Sequence, residues 1–348
     1  MSEETTSSKL NLIGMDQNDY RGQPSTLCPG CGHNSIANQI IQVAYELSLR
    51  PERVIKMSGI GCSSKSPAYF LGMSHGFNAL HGRMPSVTTG AVTVNRKLVA
   101  IGVSGDGDTG SIGLGQFKHI IRRNVPMVYI IENNGVYGLT KGQHSATQDE
   151  GVAQKYYGVN LFRAVDLATE ALFGGATFVA RSFAGAPKQV RELLKAALSH
   201  DGIAVLDIIS PCVAFNDTPE STKSYRYARM NSDPLHDITF VPTRDEIMID
   251  EEYDEQGEIT VAMHDGSRIV LKKLGEDYDP TDRVNALVTL EKGAAEHKIV
   301  TGLIYINEDR PNFHQTNNLV DVPLVELPEA TLRPSREVFD SLIGELQH

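Results

Sequence analysis

Cys28, Cys31, Cys62 and Cys212 are the residues whose types and spacing most directly offer chemistry. The first two form a C-x-x-C knuckle in "STLCPGCGHNS", with Pro29 and Gly30 between them, and the other two stand alone far along the chain. The knuckle by itself could form a redox disulfide, whereas all four thiols together could hold zinc or a [4Fe-4S] cluster. Zinc sites more often pair two close knuckles, and here one knuckle is joined by two distant single cysteines. Four unrelated buried thiols would suit Cys212 but not the C-P-G-C turn.

A second constellation is "GDGDTGSIGLGQ", from Gly105 to Gln116. It lies between a strand pattern and a helix pattern, where glycines let backbone approach a ligand and a helix N-terminus favours an anion. A carboxylate beside a phosphate would repel it. A magnesium ion removes that conflict by taking oxygen ligands from the protein and from a diphosphate together. "ENNGVYG" ends the next strand pattern. Asp106 and Asn134 are separated by about thirty residues, the length of one strand-helix-strand unit, so both loops should return to one point. A lone G-D-G would be weak evidence, because most Gly-Asp turns are structural.

The elements that must position these residues alternate. "NSIANQIIQVAYELSL" carries apolar residues at helical spacing and stops at Pro51; "RVIKMSGIGC", "KLVAIGVSGDGD", "VPMVYIIENNG", "ATFVARSF" and "IAVLDIISPC" read as strands; "SIGLGQFKHIIRR" and "PKQVRELLKAALSH" read as helices. This predicts an α/β fold, a mainly parallel sheet with helices on both faces. Right-handed crossovers put every strand-to-helix loop at one edge of such a sheet. Cys28 and Cys31 precede a helix, and Cys62 and Cys212 follow strands, so all four thiols map to that edge.

With 41% hydrophobic residues and a mass of 38.0 kDa the chain can bury a large core. A net charge of −11 argues against nucleic acid or an anionic membrane as the main partner. The start "MSEETTSSKL" has neither the basic nor the apolar segment of a secretory leader, and no run is long enough to span a bilayer, so a cytoplasmic protein is expected.

Together "CPGCGH", "GIGCSSKSP", "HGR", "GDGD" and "NNGVYGLTKGQ" resemble, in the same order over roughly residues 25 to 220, the β subunit of 2-oxoacid:ferredoxin oxidoreductases, most of all the 2-oxoglutarate type. The resemblance implies the thiamine diphosphate-binding fold and three cofactors: thiamine diphosphate, Mg2+ and a [4Fe-4S] cluster. Cys28, Cys31, Cys62 and Cys212 would ligate the cluster, and Asp106, the Asn134 side chain and the Val136 carbonyl the magnesium. Gly105, Gly107 and Asp108 would shape the diphosphate loop. "GLTKGQ" resembles a mobile loop beside the active site, from which Gly138, Leu139 and Thr140 are expected to reach the cofactor. Lys65 would lie between cluster and cofactor, where its charge could attract the substrate carboxylate. His33 and His81 could contact cofactor or substrate, and Arg83 could orient an acid; an ordinary structural role suits each of these three equally.

The implied reaction is coenzyme A-dependent, reversible oxidative decarboxylation of 2-oxoglutarate to succinyl-CoA and CO2, with electrons passing through the cluster to ferredoxin. Pyruvate is the competing substrate. A non-catalytic zinc-binding subunit or a plain thiamine decarboxylase are the alternatives outside the family; the Asp106 and Asn134 pair counts against the first and the converging cysteines against the second. In the family, the glutamate that activates the cofactor belongs to an α subunit, so a partner chain holding much of the coenzyme A site, in an α2β2 assembly, is expected. Lys65, Lys141 or Arg122 and Arg123 could offer an acidic ferredoxin a basic surface, although the arginine pair reads best as a solvated helix end.

The chain divides by pattern into an arm (1–24), the cofactor domain (25–225) and a C-terminal extension (226–348) read as a contact between subunits. The extension should hold a hairpin with Asp265 and Gly266 at its tip, a helix within "DPTDRVNALVTLEKGAAEHK", a tail helix "SREVFDSLIGEL", and a solvated acidic run from Asp250 to Glu258.

Overall fold

The computed structural model describes residues 10–243, 258–273 and 278–346. The acidic run, apart from Glu258, lies outside the described residues. In chain order the elements are α1 (Gly32–Glu46), β1 (Val54–Ser58), β2 (His75–Asn78), α2 (Met84–Val94), β3 (Val99–Gly105), α3 (Leu114–Arg122) and β4 (Met127–Asn133). Two short antiparallel pairs follow, β5 (Val136–Tyr137) with β6 (Gln143–His144) and β7 (Ala153–Gln154) with β8 (Gly158–Val159). Then come α4 (Leu167–Gly174), β9 (Phe178–Phe183), α5 (Pro187–Ser199), β10 (Ile203–Ile209), α6 (Tyr225–Asn231), β11 (Ser232–Pro234), β12 (His236–Val241), β13 (Glu258–Ala262), β14 (Arg268–Lys273), α7 (Arg283–Ala295) and β15 (Ile299–Ile306). Three short C-terminal helices close the order: α8 (Phe313–Thr316), α9 (Glu329–Leu332) and α10 (Arg336–Leu346).

The main sheet runs β11-β15-β9-β10-β4-β3-β1-β2, and only the β15–β9 pairing is antiparallel. Its central strands are buried on both faces, so their side chains alternate between two cores. On β4, Val128 and Ile130 pack with Ile36, Ile40 and Leu193 of α1 and α5, while Met127, Tyr129 and Ile131 pack with Phe117, Ile120 and Leu172 of α3 and α4. Truncating Ile120 or Leu193, both fully buried, to alanine should cost about 2–5 kcal/mol. The local start signals work as their chemistry requires: Pro187 opens α5, Asp166 caps the N-terminus of α4 and Asp282 that of α7.

Among the described residues beyond 225, two strands join the main sheet and three form a small sheet of their own. β15 and β11 extend the main sheet, and the β12-β14-β13 sheet places Phe240 and Leu271 in the core beneath α5. The expected hairpin is present as β13 and β14, with Gly266 at a positive φ of 83°, and so are α7 and the tail helix α10. None of the residues of α10 is buried.

His236 fastens this C-terminal part to the sheet. It is buried, and its Nε2 accepts a hydrogen bond from Leu303 N at 2.9 Å. Burial lowers its pKa to about 4. A histidine depressed from its ordinary value of 6.5 contributes stability that is complete above that value and lost as pH falls toward 4. Protonation there would also turn the acceptor toward an N–H. We expect thermal melts of the chain to lose about 3 kcal/mol of stability across that interval through this residue. His236→Gln should reduce the loss, and an unchanged acid profile in the variant would refute the assignment.

Candidate functional site

The crevice forms where the strand order turns, between β1 and β3, which is where open α/β sheets bind ligands. β3 delivers Gly105 and Asp106 to its carboxyl end, and β4 delivers Asn134 beside them. Asp106 is 1% exposed. Its Oδ1 accepts from Asn134 N at 3.2 Å, and its Oδ2 accepts from Thr147 Oγ1 at 2.6 Å and from Ser145 Oγ. Burial raises its pKa, and these three donors oppose the rise. The Asn134 carboxamide oxygen accepts from Val136 N at 3.0 Å, which folds the 134–136 turn back toward Asp106.

The glycines of the loop serve close approach. A Cβ on Gly107 would strike the Tyr137 ring, whose hydroxyl donates to the Gly107 carbonyl at 3.0 Å. The expected helix from Ser111 is interrupted: a wide helical turn spans Asp108–Ile112, and α3 begins only after Gly113. Asp108 acts as a strap inside this turn. One carboxylate oxygen takes Gly82 N at 2.7 Å, Ile60 N at 3.3 Å and His81 Nδ1, and the other takes Ser104 Oγ at 2.7 Å. With Nδ1 fixed, His81 leaves Nε2 as its free ring nitrogen on the cavity wall.

The four cysteines form no disulfide with one another and line a second cavity. Cys31 is the N-cap of α1, Cys62 opens a short helix over Ser63–Ala68, and Cys212 follows β10. Burial pushes the Cys31 thiol up to about 12, with Glu132, Cys212 and Cys62 adding to the rise. Burial also raises Cys62 and Cys212, and the Lys65 charge opposes the rise at Cys62. Such thiols need a cation to become thiolates, which is what an iron-sulfur cluster supplies. Among the described residues, no three Cys, His, Asp or Glu side chains close on a single ion. Four thiols around one cavity suit a cluster in which each sulfur meets a different iron. Gly138 lies against two of these thiols: a Cβ there would be 3.4 Å from Cys212 Sγ and 3.6 Å from Cys62 Sγ, ordinary contact distances.

The two cavities adjoin, and Cys62, Asn134, Gly138 and Leu139 wall both. The diphosphate-side cavity is also lined by Gly105, Asp106, Gly107, Asp108, Val136 and Thr140; the cysteine-side cavity is also lined by His33 and Lys65. Arg83 is exposed at the start of α2 and lines neither. His33 is buried, held by Ser210 Oγ at 2.6 Å, and burial lowers its pKa to about 3, so it is neutral at pH 7. Beneath it lies Glu132, 0% exposed, which accepts from Ser66 Oγ at 2.9 Å. Burial raises its pKa well above that of an ordinary carboxyl. Sequence reasoning passed over Glu132, although one acid inside the apolar run "MVYIIEN" was the available signal.

The sequence matches two family descriptions: "Thiamine pyrophosphate enzyme, C-terminal TPP binding domain" over residues 59–208, and the C-terminal part of the pyruvate ferredoxin oxidoreductase beta chain over residues 268–320. The 2-oxoacid:ferredoxin oxidoreductase subunit beta of Saccharolobus solfataricus is 40% identical over 214 residues, 60% of this chain and 70% of the relative. That of a Sulfolobus species is 44% identical over 191 residues, 55% of this chain and 63% of the relative, so the match spans less than two thirds of that protein. The 2-oxoglutarate oxidoreductase subunit KorB of Mycobacterium tuberculosis is 40% identical over 55% of this chain and 51% of its own. Among solved structures, a 2-oxoglutarate:ferredoxin oxidoreductase from Magnetococcus marinus, with 2-oxoglutarate, coenzyme A and succinyl-CoA bound, is similar with a TM-score of 0.71 and 31% identity. That match covers 90% of this chain and 92% of the solved one.

Proposed function

The chain belongs to the family of β subunits of thiamine diphosphate-dependent 2-oxoacid:ferredoxin oxidoreductases, and from that premise we propose that it converts 2-oxoglutarate and coenzyme A to succinyl-CoA and CO2. The reaction releases two electrons per oxoacid, and these leave singly for ferredoxin. The observation that carries the proposal is the pair of adjoining cavities, one offering oxygen ligands and the other four thiols, with Cys62, Asn134, Gly138 and Leu139 in the shared wall.

When bound, thiamine diphosphate supplies the carbon nucleophile and electron sink, and a [4Fe-4S] cluster the one-electron path. Asp106, the Asn134 carboxamide and the Val136 carbonyl would hold Mg2+ on the diphosphate. Cys28, Cys31, Cys62 and Cys212 would hold the cluster. His81, fixed by Asp108, would present Nε2 to the diphosphate side. Lys65 on the cysteine side supplies a positive charge for a substrate carboxylate.

Among the described residues, Asp106 and Asp108 are the only carboxylates lining the two cavities, and both are committed to the diphosphate loop. The acid that activates the cofactor's aminopyrimidine would therefore come from a partner α subunit, as would much of the coenzyme A site, in an α2β2 assembly. A cytoplasmic location is part of the proposal; among the described residues no helix is long and apolar enough to cross a membrane. Pyruvate is the second reading, favoured by the C-terminal match to a pyruvate enzyme's domain.

The test is ferredoxin reduction by the reconstituted αβ enzyme with each oxoacid. We expect coenzyme A-dependent turnover with 2-oxoglutarate at least about tenfold above pyruvate in kcat/KM, the scale of one polar contact in a specificity pocket. The reverse preference would assign pyruvate. Lys65→Met in the same assay should raise the KM for the oxoacid, or slow cluster reduction, by about tenfold. If both are unchanged, the role given to Lys65 is wrong.

A further inference from the structure

We propose that Asn216 is a positioning residue that clasps the loop carrying Cys212 to the loop carrying Asn134, so that the state of one cofactor site is felt at the other; this rests on the functional reading above. Asn216 is 1% exposed. Its backbone N–H donates to the Cys212 carbonyl at 2.9 Å, closing one turn directly after the cysteine. Its side-chain Nδ2 donates to the Asn134 carbonyl at 2.8 Å. One residue thus hydrogen-bonds to a cluster-side cysteine through its backbone and to a magnesium-side asparagine through its side chain.

The surroundings are built for that approach. Gly135 has φ of 76°, and a Cβ there would lie 2.6 Å from Asn216 Nδ2, so glycine is required on both counts. The same segment is gripped further along: a Cβ on Gly142 would lie 2.9 Å from the Phe215 ring, and Gln154 Nε2 donates to the Phe215 carbonyl at 3.1 Å. The 138–143 loop, which walls both cavities through Gly138 and Leu139, is therefore packed against Phe215, next in the chain to Asn216. Asn216 Oδ1 and Gln148 Nε2 are buried without partners, and both residues touch the Gly135 turn. This acceptor and donor leave capacity for one more bond between the 212–216 segment and the 145–149 segment, which supplies Asp106 with Ser145 and Thr147.

The experiment uses the anaerobic αβ holoenzyme. Iron content, thiamine diphosphate affinity and the electron paramagnetic resonance spectrum of the dithionite-reduced protein are measured with and without thiamine diphosphate and Mg2+. The wild type should show a cofactor-dependent change in the spectrum. Asn216→Ala and Asn216→Asp, neither of which can donate to the Asn134 carbonyl, should keep their iron, lose that change and bind thiamine diphosphate about tenfold more weakly, the effect of one buried hydrogen bond. Cluster reduction after mixing with oxoacid should slow while the KM for the oxoacid stays put. A merely structural role would lower the melting temperature and leave the spectral response intact, and that result in either variant overturns the clasp. Should neither variant accumulate, the wild type decides alone, since no spectral response to cofactor also overturns it. A wild type without iron or without cofactor binding removes the functional reading first, and the clasp with it.

Discussion

Asp106→Asn is expected to weaken binding of thiamine diphosphate with magnesium by at least about a hundredfold, the upper scale for single changes around a bound metal, while leaving cluster content unchanged. Asparagine fits the same space: its oxygen can still accept from Asn134 N, and its amide can meet hydroxyls of Ser145 and Thr147 that turn to accept. What disappears is the negative charge that a divalent cation needs. The cofactor-free chain should pay nothing for the change. Burial raises the Asp106 pKa, so this group's stability is complete below the ordinary carboxyl value and is lost as pH rises above it. Near pH 7 the neutral variant escapes that loss and should melt no lower than the wild type. A variant that still binds the cofactor tightly would remove Asp106 from the magnesium site.

Cys212→Ser is expected to do the opposite. Serine keeps the volume and the backbone bonds from Phe215 N and Asn216 N to the residue 212 carbonyl, so the Asn216 clasp survives. It is a poorer ligand for iron, and the cluster would lose one of its four anchors. Iron should fall from about four per chain to below about one, electron transfer to ferredoxin should be lost, and thiamine diphosphate affinity should stay within about threefold. Full iron content in this variant would show that Cys212 is not a ligand. The two substitutions together probe the two halves of the site separately, since the cavities share a wall while Asp106 lines only one and Cys212 only the other.

The features legible in the sequence were those whose chemistry is local. C-x-x-C, G-D-G and N-N are short turns at element ends, and once the strands were read as parallel, their convergence followed from topology. The strands themselves were readable because continuous apolar runs such as "MVYII" have one common fate in a sheet buried on both faces. The partners of those motifs were not legible. β15 pairs antiparallel with β9 across more than a hundred residues, and no local pattern encodes that choice. α2, "MPSVTTGAVTV", is rich in β-branched residues and holds a glycine, so its sequence does not announce a helix. Glu132, Ser66, Ser210 and Asn216 acquire their roles from contacts made by distant segments, and Arg83 of the "HGR" motif lines neither cavity.

The central claim, a cluster held beside a diphosphate site, is tested most directly by an anaerobic visible absorption spectrum of the purified protein, with iron, sulfide and zinc assayed on the same sample. The account predicts a broad band near about 400 nm and about four iron and four sulfide per chain. Stoichiometric zinc without a visible band would make the four cysteines a structural clamp, and the electron-transfer role would fall.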